Sequence, residues 1–265
     1  MKRNSLRIIL LFLTVIALGG CRARQISVSE NNEGYSDVDI PEITNTPMPE
    51  KEYGISKNEV VKGDSIYFGS YTQENSTVRY SMIEWIVLEV EEDRALLLSK
   101  QGLDIQQYNS NREAVTWETC TLRSWLNNDF YDAAFGYDEM QAILETTLTN
   151  EDNPEHGTDS GNDTQDKVFL LSKSEADKYL TEETRASIPT TFVRAHFFGW
   201  EERDDADEPM RYWLRTAGDY EHHVMTMGVF TNVFPPYERT YDYEHRYEVN
   251  DLAAVRPAIW VKLVE

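Results

Sequence analysis

Residues 84–98 read EWIVLEVEEDRALLL. Two apolar runs, Trp85–Val90 (broken only by Glu89) and Ala95–Leu98, flank the charged interval Glu91-Glu92-Asp93-Arg94. Each run is too short for a typical helix and the interval suits a turn, so the stretch predicts an antiparallel strand pair. Just upstream, DSIYFGSY (64–71) sets Ile66 and Phe68 against Tyr67, the alternation of a half-buried strand. Downstream the period changes. Leu122, Trp125, Leu126 and Phe130 recur at steps of three and four, which predicts an amphipathic helix capped by Thr116. A second helix is expected over 138–148, through Met140, Ile143, Leu144 and Leu148. Residues 151–166 are a loop by composition, with Asn-Pro, His-Gly and Ser-Gly pairs. Val168–Leu171 reads as a strand leading into Ser172-Lys173-Ser174-Glu175, a capping pattern that opens a helix through Leu180. RYWLR (211–215), HHVMTMGVF (222–230) and VRPAIWVKL (255–263) read as strands, and 231–251, TNVFPPYERTYDYEHRYEVND, as a long loop. Strands interspersed with a few helices, without a repeat, define an α+β class.

The N-terminal fifth of the chain has a different character. Lys2, Arg3 and Arg7 precede an apolar run, Ile8–Leu18, interrupted only by Thr14. Its eleven residues rise about 16 Å as a helix, roughly half a bilayer core, so the run does not span a membrane. A basic start, a short apolar stretch and small residues are the parts of an export signal. Leu18-Gly19-Gly20-Cys21 resembles the lipobox of bacterial lipoproteins. The resemblance implies a leader over 1–20, a diacylglyceryl group on Cys21, and attachment to the outer face of the cytoplasmic membrane. From Arg22 to about Lys57 the chain is polar, acidic and proline-containing, with no sustained period. Such a segment buries too little apolar surface to offset its ordering entropy. The expected organisation is therefore a leader (1–20), a lipidated cysteine with a flexible tether (21–57), and one folded domain (58–265).

Composition limits the partners. The formal charge is −22, and losing the three cations of the leader makes it −25. An acidic body is repelled by phosphate backbones and anionic headgroups, which argues against nucleic acid and leaves membrane attachment to the lipid. The same charge keeps an exported domain soluble and is expected to keep it monomeric. With Cys21 lipidated, Cys120 is the one remaining cysteine, so the fold rests on an apolar core rather than on disulfides.

Catalytic motifs are sparse. The histidines, at 156, 196, 222, 223 and 245, form no His-Glu-x-x-His pattern, and neither a Gly-x-Ser-x-Gly elbow nor a phosphate loop is present. His222 and His223, if on a strand, point to opposite faces. Asp159, Asp163 and Asp166 crowd one irregular segment and are the calcium candidates, although the ordered Asp-x-Asn-x-Asp-Gly pattern is missing. No other cofactor is indicated. Aromatic residues concentrate after Trp200, interleaved with acids and arginines. A ring with a polar neighbour suits a sugar or peptide, offering a face to stack and an edge to hydrogen-bond. Trp200, Tyr220, Tyr237, Tyr241, Asp242 and Tyr243 are the ligand-binding candidates, while Trp213 and Phe230 read as core, and Arg215 and Arg256 as structural.

Four ordered segments carry a family likeness: TWETCTLRSWLN (116–127), GNDTQDKVFLLS (161–172), WLRT (213–216) and AVRPAIW (254–260). In this order and spacing they resemble an uncharacterised domain-of-unknown-function family of surface proteins from Gram-positive, mostly gut-dwelling bacteria. Thr216 and Ile259 stand where that family more often has Ser and Leu. More distantly, the arrangement is similar to the C-type-lectin-like fold shared with formylglycine-generating enzymes. That likeness implies a single compact domain of mainly antiparallel strands with a binding face of long loops. It does not extend to the oxidase chemistry, which needs a late cysteine pair that this sequence lacks. The expectation is a surface module binding a glycan or protein. An envelope enzyme acting on glycans, and a structural or assembly subunit, remain the alternatives.

Overall fold

The computed structural model describes residues 52–73, 80–198, 209–231 and 239–265. They belong to one compact unit, Glu50–Glu265. The hairpin forms as expected: Tyr80–Val90 pairs antiparallel with Arg94–Ser99, with Ile86 opposite Leu98 and Val87 opposite Leu97. Its turn is closed by Glu91 N–H donating to Arg94 O at 2.8 Å and by Arg94 Nε donating to the Glu91 carboxylate at 2.7 Å. Arg94–Ser99 lies between Tyr80–Val90 and Ala258–Val264, and from Ala95 onward every residue of it is buried. Burial on both faces is why this strand reads as a continuous apolar run rather than an alternation.

The sheet around this hairpin has seven strands, running Ile55–Ser56, Ala258–Val264, Arg94–Ser99, Tyr80–Val90 and Ser65–Thr72, with Ile143–Leu144 and Val168–Phe169 also on Ala258–Val264. The Ile55–Ser56 strand draws part of the stretch read as tether into the sheet, with Ile55 opposite Leu263. A five-stranded sheet runs Arg239–Glu248, His223–Thr231, Tyr212–Ala217, Leu252–Val255 and Asp104–Gln107. Thr146–Leu148 and Thr164–Asp166 form a third, two-stranded ladder. Pro257, which lacks an N–H, separates Leu252–Val255 in one sheet from Ala258–Val264 in the other. The architecture is thus sheet-rich α+β with few helices, and among the described residues no helix is long and apolar enough to cross a membrane.

Several elements differ from the sequence reading, among them Thr146–Leu148 and Thr164–Asp166, strands where a helix and a loop were expected. The helix expected from Thr116 starts later, because Thr116 O closes a turn with the N–H groups of Thr119 and Cys120. Cys120 is the cap instead, its Sγ accepting from Arg123 N at 3.4 Å. From there Thr121–Trp125, a wide i→i+5 turn at Leu126–Phe130 and Tyr131–Ala134 run continuously. Asn127 and Asn128 donate back to Arg123 O and Ser124 O, taking carbonyls that the wide turn releases. The second helix stops at Ala142; Ile143–Leu144 turns extended to pair with Trp260 and Val261, a tertiary gain that overrides helical periodicity. Within the expected loop, Arg239–Glu248 is a strand paired to His223–Thr231. The alternation of Tyr241, Tyr243 and His245 with Asp242 and Glu244 is the period-2 signal that the charges disguised.

Candidate functional site

Three of the four motif segments are tied to one another by buried polar contacts. Asp166, 2% exposed, accepts from Trp117 Nε1 (2.9 Å), Arg123 Nε (2.6 Å) and Thr164 Oγ1 (2.8 Å). Arg215, buried, donates to the Glu175 carboxylate, Asn150 Oδ1, Leu170 O and Thr149 O. Arg256, also buried, donates to Ser99 O, Thr184 O and the Tyr212 hydroxyl and lies over the Tyr212 ring. Both arginines thus pair buried carbonyls and, for Arg215, a carboxylate, the structural role read from the sequence. The Ser172 cap forms as read, with Glu175 reciprocating. Burial pushes the Cys120 thiol up to about 12, so it stays protonated and inert at neutral pH.

A cavity of about 640 Å³ opens where three separate segments meet: 114–119, Thr158–Asp159 and Asp219–His222. The last is a tight turn in which His223 N–H donates to Tyr220 O (2.9 Å) and Gly218 N–H to His223 O (2.7 Å). A side chain at Gly218 would meet His245 O at 2.2 Å, so only glycine fits this corner. Val115 N–H donates to Glu221 O at 3.0 Å and ties the first segment to the turn. The second segment is held by Gly161, whose φ of 87° and lack of Cβ let it pack on Thr116, while Gly161 N–H donates to Asp159 Oδ1 at 2.8 Å. Tyr220 is 61% exposed, its ring stacked at 17° on that of His222. Asp159, Asp219 and Glu221 give the lining its charge, and Thr116, Thr119 and Thr158 its hydroxyls. Burial raises the Asp219 carboxyl, but its contacts with His223 and Arg246 outweigh that and hold it below the usual carboxylate range. Such a surface offers an aromatic face and several hydrogen-bond acceptors to a neutral, hydroxyl-rich molecule.

The sequence candidates distribute unevenly over this geometry. Tyr220 and Asp159 reach the same cavity. Tyr243 does not. It is half-buried, its hydroxyl donates to Asp177 Oδ1 at 2.5 Å, and Lys173 Nζ lies 4.6 Å over its ring, so it braces the strand against the helix Lys173–Tyr179. Asp242 is exposed and accepts from Tyr243 N–H at 2.8 Å; Tyr241 lies opposite Val229 in the strand pair. Cys21, Trp200 and Tyr237 lie outside the described residues. The calcium candidates are not grouped: Asp166 is consumed by its motif partners, Asp163 Oδ1 accepts from Asn150 N–H, and Asp159 faces the cavity. Sequence reasoning missed Thr116, Thr119, Glu221 and His222 as lining residues, since nothing local marks residues that meet only through the fold. His222 and His223 also do not diverge. His222 sits in the turn before the strand, and the two rings lie 4.4 Å apart.

Fold and site together define a sheet-rich α+β domain with a polar, aromatic-rimmed cavity. The profile of a domain of unknown function, DUF6273, matches residues 92–263, and the chain belongs to that family. No curated protein and no solved structure matches the chain.

Proposed function

We propose that this chain is an exported, lipid-anchored binding module that holds a surface glycan in the cavity beside Tyr220. The observation that carries the reading is the exposed Tyr220 ring set among the Asp159, Asp219 and Glu221 carboxylates and the threonine hydroxyls. A sugar needs a stacking face and acceptors for its hydroxyls, and this lining supplies both. The leader, the Leu18-Gly19-Gly20-Cys21 box and the polar tether support the location. The likeness to C-type-lectin-like domains, with loops forming one binding face, agrees with it. The glycosidase reading gains nothing from the carboxylates. Among the described residues, the carboxyls with a shift (Glu89, Asp177, Asp219, Glu248 and Glu265) are all lowered, whereas a general acid is typically raised.

Two experiments test the proposal. A Cys21→Ser chain is expected in the soluble fraction where the native chain sediments with membranes; unchanged sedimentation rejects the lipid anchor. On an array of glycans and cell-wall fragments, Tyr220→Ala is expected to weaken binding by about tenfold, near 1.4 kcal/mol. Equal binding by the native and Tyr220→Ala chains rejects the cavity as the site, and no binding by the native chain rejects the glycan.

A further inference from the structure

Beside the cavity, the tight turn at 220–223 and the facing strand bring together three groups that suit a metal ion. His222, His223 and Glu248 each offer one ligand atom, all within 4.8 Å of one another. His223 lies opposite Glu248 in the strand pair, and its Nε2 is 3.4 Å from Glu248 Oε1. Two ligands on one tetrahedral ion, at bonds of about 2.0–2.1 Å, are about 3.3–3.4 Å apart. The pair is already at that spacing.

The outer shell favours the same conclusion. Asp219, itself largely buried, accepts from His223 Nδ1 at 2.6 Å. That bond places the proton on Nδ1 and turns the Nε2 lone pair toward Glu248, the carboxylate–histidine arrangement that orients metal-bound imidazoles. Between Nε2 and Oε1 there must then sit either a proton or a metal ion. Arg112 grips Glu248 through Nε (2.6 Å) and Nη2 (2.9 Å), fixing the carboxylate while each oxygen keeps a second lone pair. A second cluster, Glu155–His156–His245, has the same composition but is more exposed. There Asn153 Nδ2 spends both hydrogens on Ala217 O and Gly218 O, so at 3.5 Å from His245 Nδ1 it gives that ring no fixed orientation of its proton.

We propose that His222, His223 and Glu248 bind one divalent transition-metal ion of the zinc class, with Asp219 as the positioning residue for His223. Two imidazoles and one carboxylate are borderline ligands that suit zinc, copper or nickel, not the six to eight oxygens that calcium takes. Three protein ligands leave a fourth position for water or a bound molecule. His222 belongs to both the metal set and the cavity wall, so a metal there sits at the rim of the cavity. This inference goes beyond the glycan reading and does not depend on it.

The test uses the full chain, metal-free and in detergent, titrated with Zn2+ by calorimetry and with Co2+ by visible absorption. One Zn2+ per chain and an intense tetrahedral Co2+ spectrum are expected. His222→Ala with His223→Ala should abolish both, and His222→Ala alone, which leaves the Asp219–His223 contact in place, should weaken Zn2+ by at least about tenfold. Asp219→Asn should weaken it about 10–100-fold while the cobalt spectrum stays tetrahedral. His156→Ala with His245→Ala should change neither. Circular dichroism melts verify folding of each variant. No Zn2+ bound by the native chain overturns the proposal, leaving His223 as a proton-bearing bridge between two carboxylates. Zn2+ affinity unchanged by His222→Ala, or a spectrum lost only with His156 and His245, overturns it equally. Tyr220→Ala should retain the metal, so failure of the glycan reading and failure of this one are distinguishable.

Discussion

Asp166 and Asp219 are both largely buried carboxylates on the same domain, yet their surroundings differ in kind. Asp166 is enclosed by donors from two of the recurring motif segments: Trp117, Arg123 and Thr164, with Asn127 at 3.4 Å. Every lone pair is engaged inside the fold. Asp219 engages one imidazole and one exposed guanidinium, and the turn that carries it fronts a cavity lined by further acids. A carboxylate saturated by protein donors stabilises a fold; carboxylates left facing solvent beside an exposed ring are available to a ligand. The motif segments that meet at Asp166 are scaffold there, while the cavity takes Thr116 and Thr119 from one of them and the rest of its lining from outside the motifs.

The contrast breaks most sharply at Asp166→Ala. That change strands the Trp117 N–H in the core and removes the carboxylate from Arg123, which is about a quarter exposed. Loss of a buried ion-pair partner costs about 3–5 kcal/mol, and the partial exposure of Arg123 points to the lower end. Urea unfolding should show this drop, and a loss under 1 kcal/mol would dismiss the hub. Gly218→Ala comes next. Its Cβ would press on His245 O and His223 Cβ, backbone and a packed stem that cannot give freely. A cost of about 1–3 kcal/mol is expected, together with loss of Zn2+ binding, because the turn itself must move.

How much of this was legible follows from where the information sits. The EWIVLEVEEDRALLL hairpin and the Ser172–Glu175 cap are local, with partners a few residues apart, and the sequence displays them directly. The extended turn of Ile143–Leu144 depends on Trp260 and Val261, more than a hundred residues away, and no window near Ile143 contains that fact. The strand Arg239–Glu248 was hidden by charge, because its alternation sets Tyr against Asp and Glu rather than apolar against polar. For the site, Tyr220 was readable as an aromatic among polar residues. Its cavity partners Thr116, Thr119 and Asp159 were not, since they lie 61 to 104 positions upstream and are brought near by backbone contacts such as Val115 to Glu221. The condition for opposite faces fails because the strand begins at His223, one residue later than assumed, which leaves His222 in the turn before it.

Acid should separate the regions more gently than mutation. The Arg112 guanidinium is the largest influence holding Glu248 down, from 4.5 to about 2, and Asp219 is lowered as well. Groups whose folded value is depressed contribute stability above their unfolded value and lose it as pH falls toward the folded one. Tm should therefore decline as pH drops from 4.5 toward about 2. Added salt should reduce the Glu248 part, because that pair is exposed and screened. In an Arg112→Gln chain the decline should begin from a lower Tm and be shallower across this range. An identical profile would remove Arg112 from the account of the turn.

The smallest effect on stability should come from Tyr220→Ala, and its smallness sharpens the comparison. The ring is largely solvent-exposed and stacks mainly on His222, so little apolar surface is exposed by its loss. Surface substitutions away from caps, networks and cores stay within about 0.5 kcal/mol. If Tyr220→Ala binds glycan about tenfold more weakly while its urea midpoint is unchanged, the ring serves the ligand and not the fold. A destabilisation near that of Gly218→Ala would show instead that Tyr220 holds the turn closed, and the cavity rim would join Asp166 as scaffold.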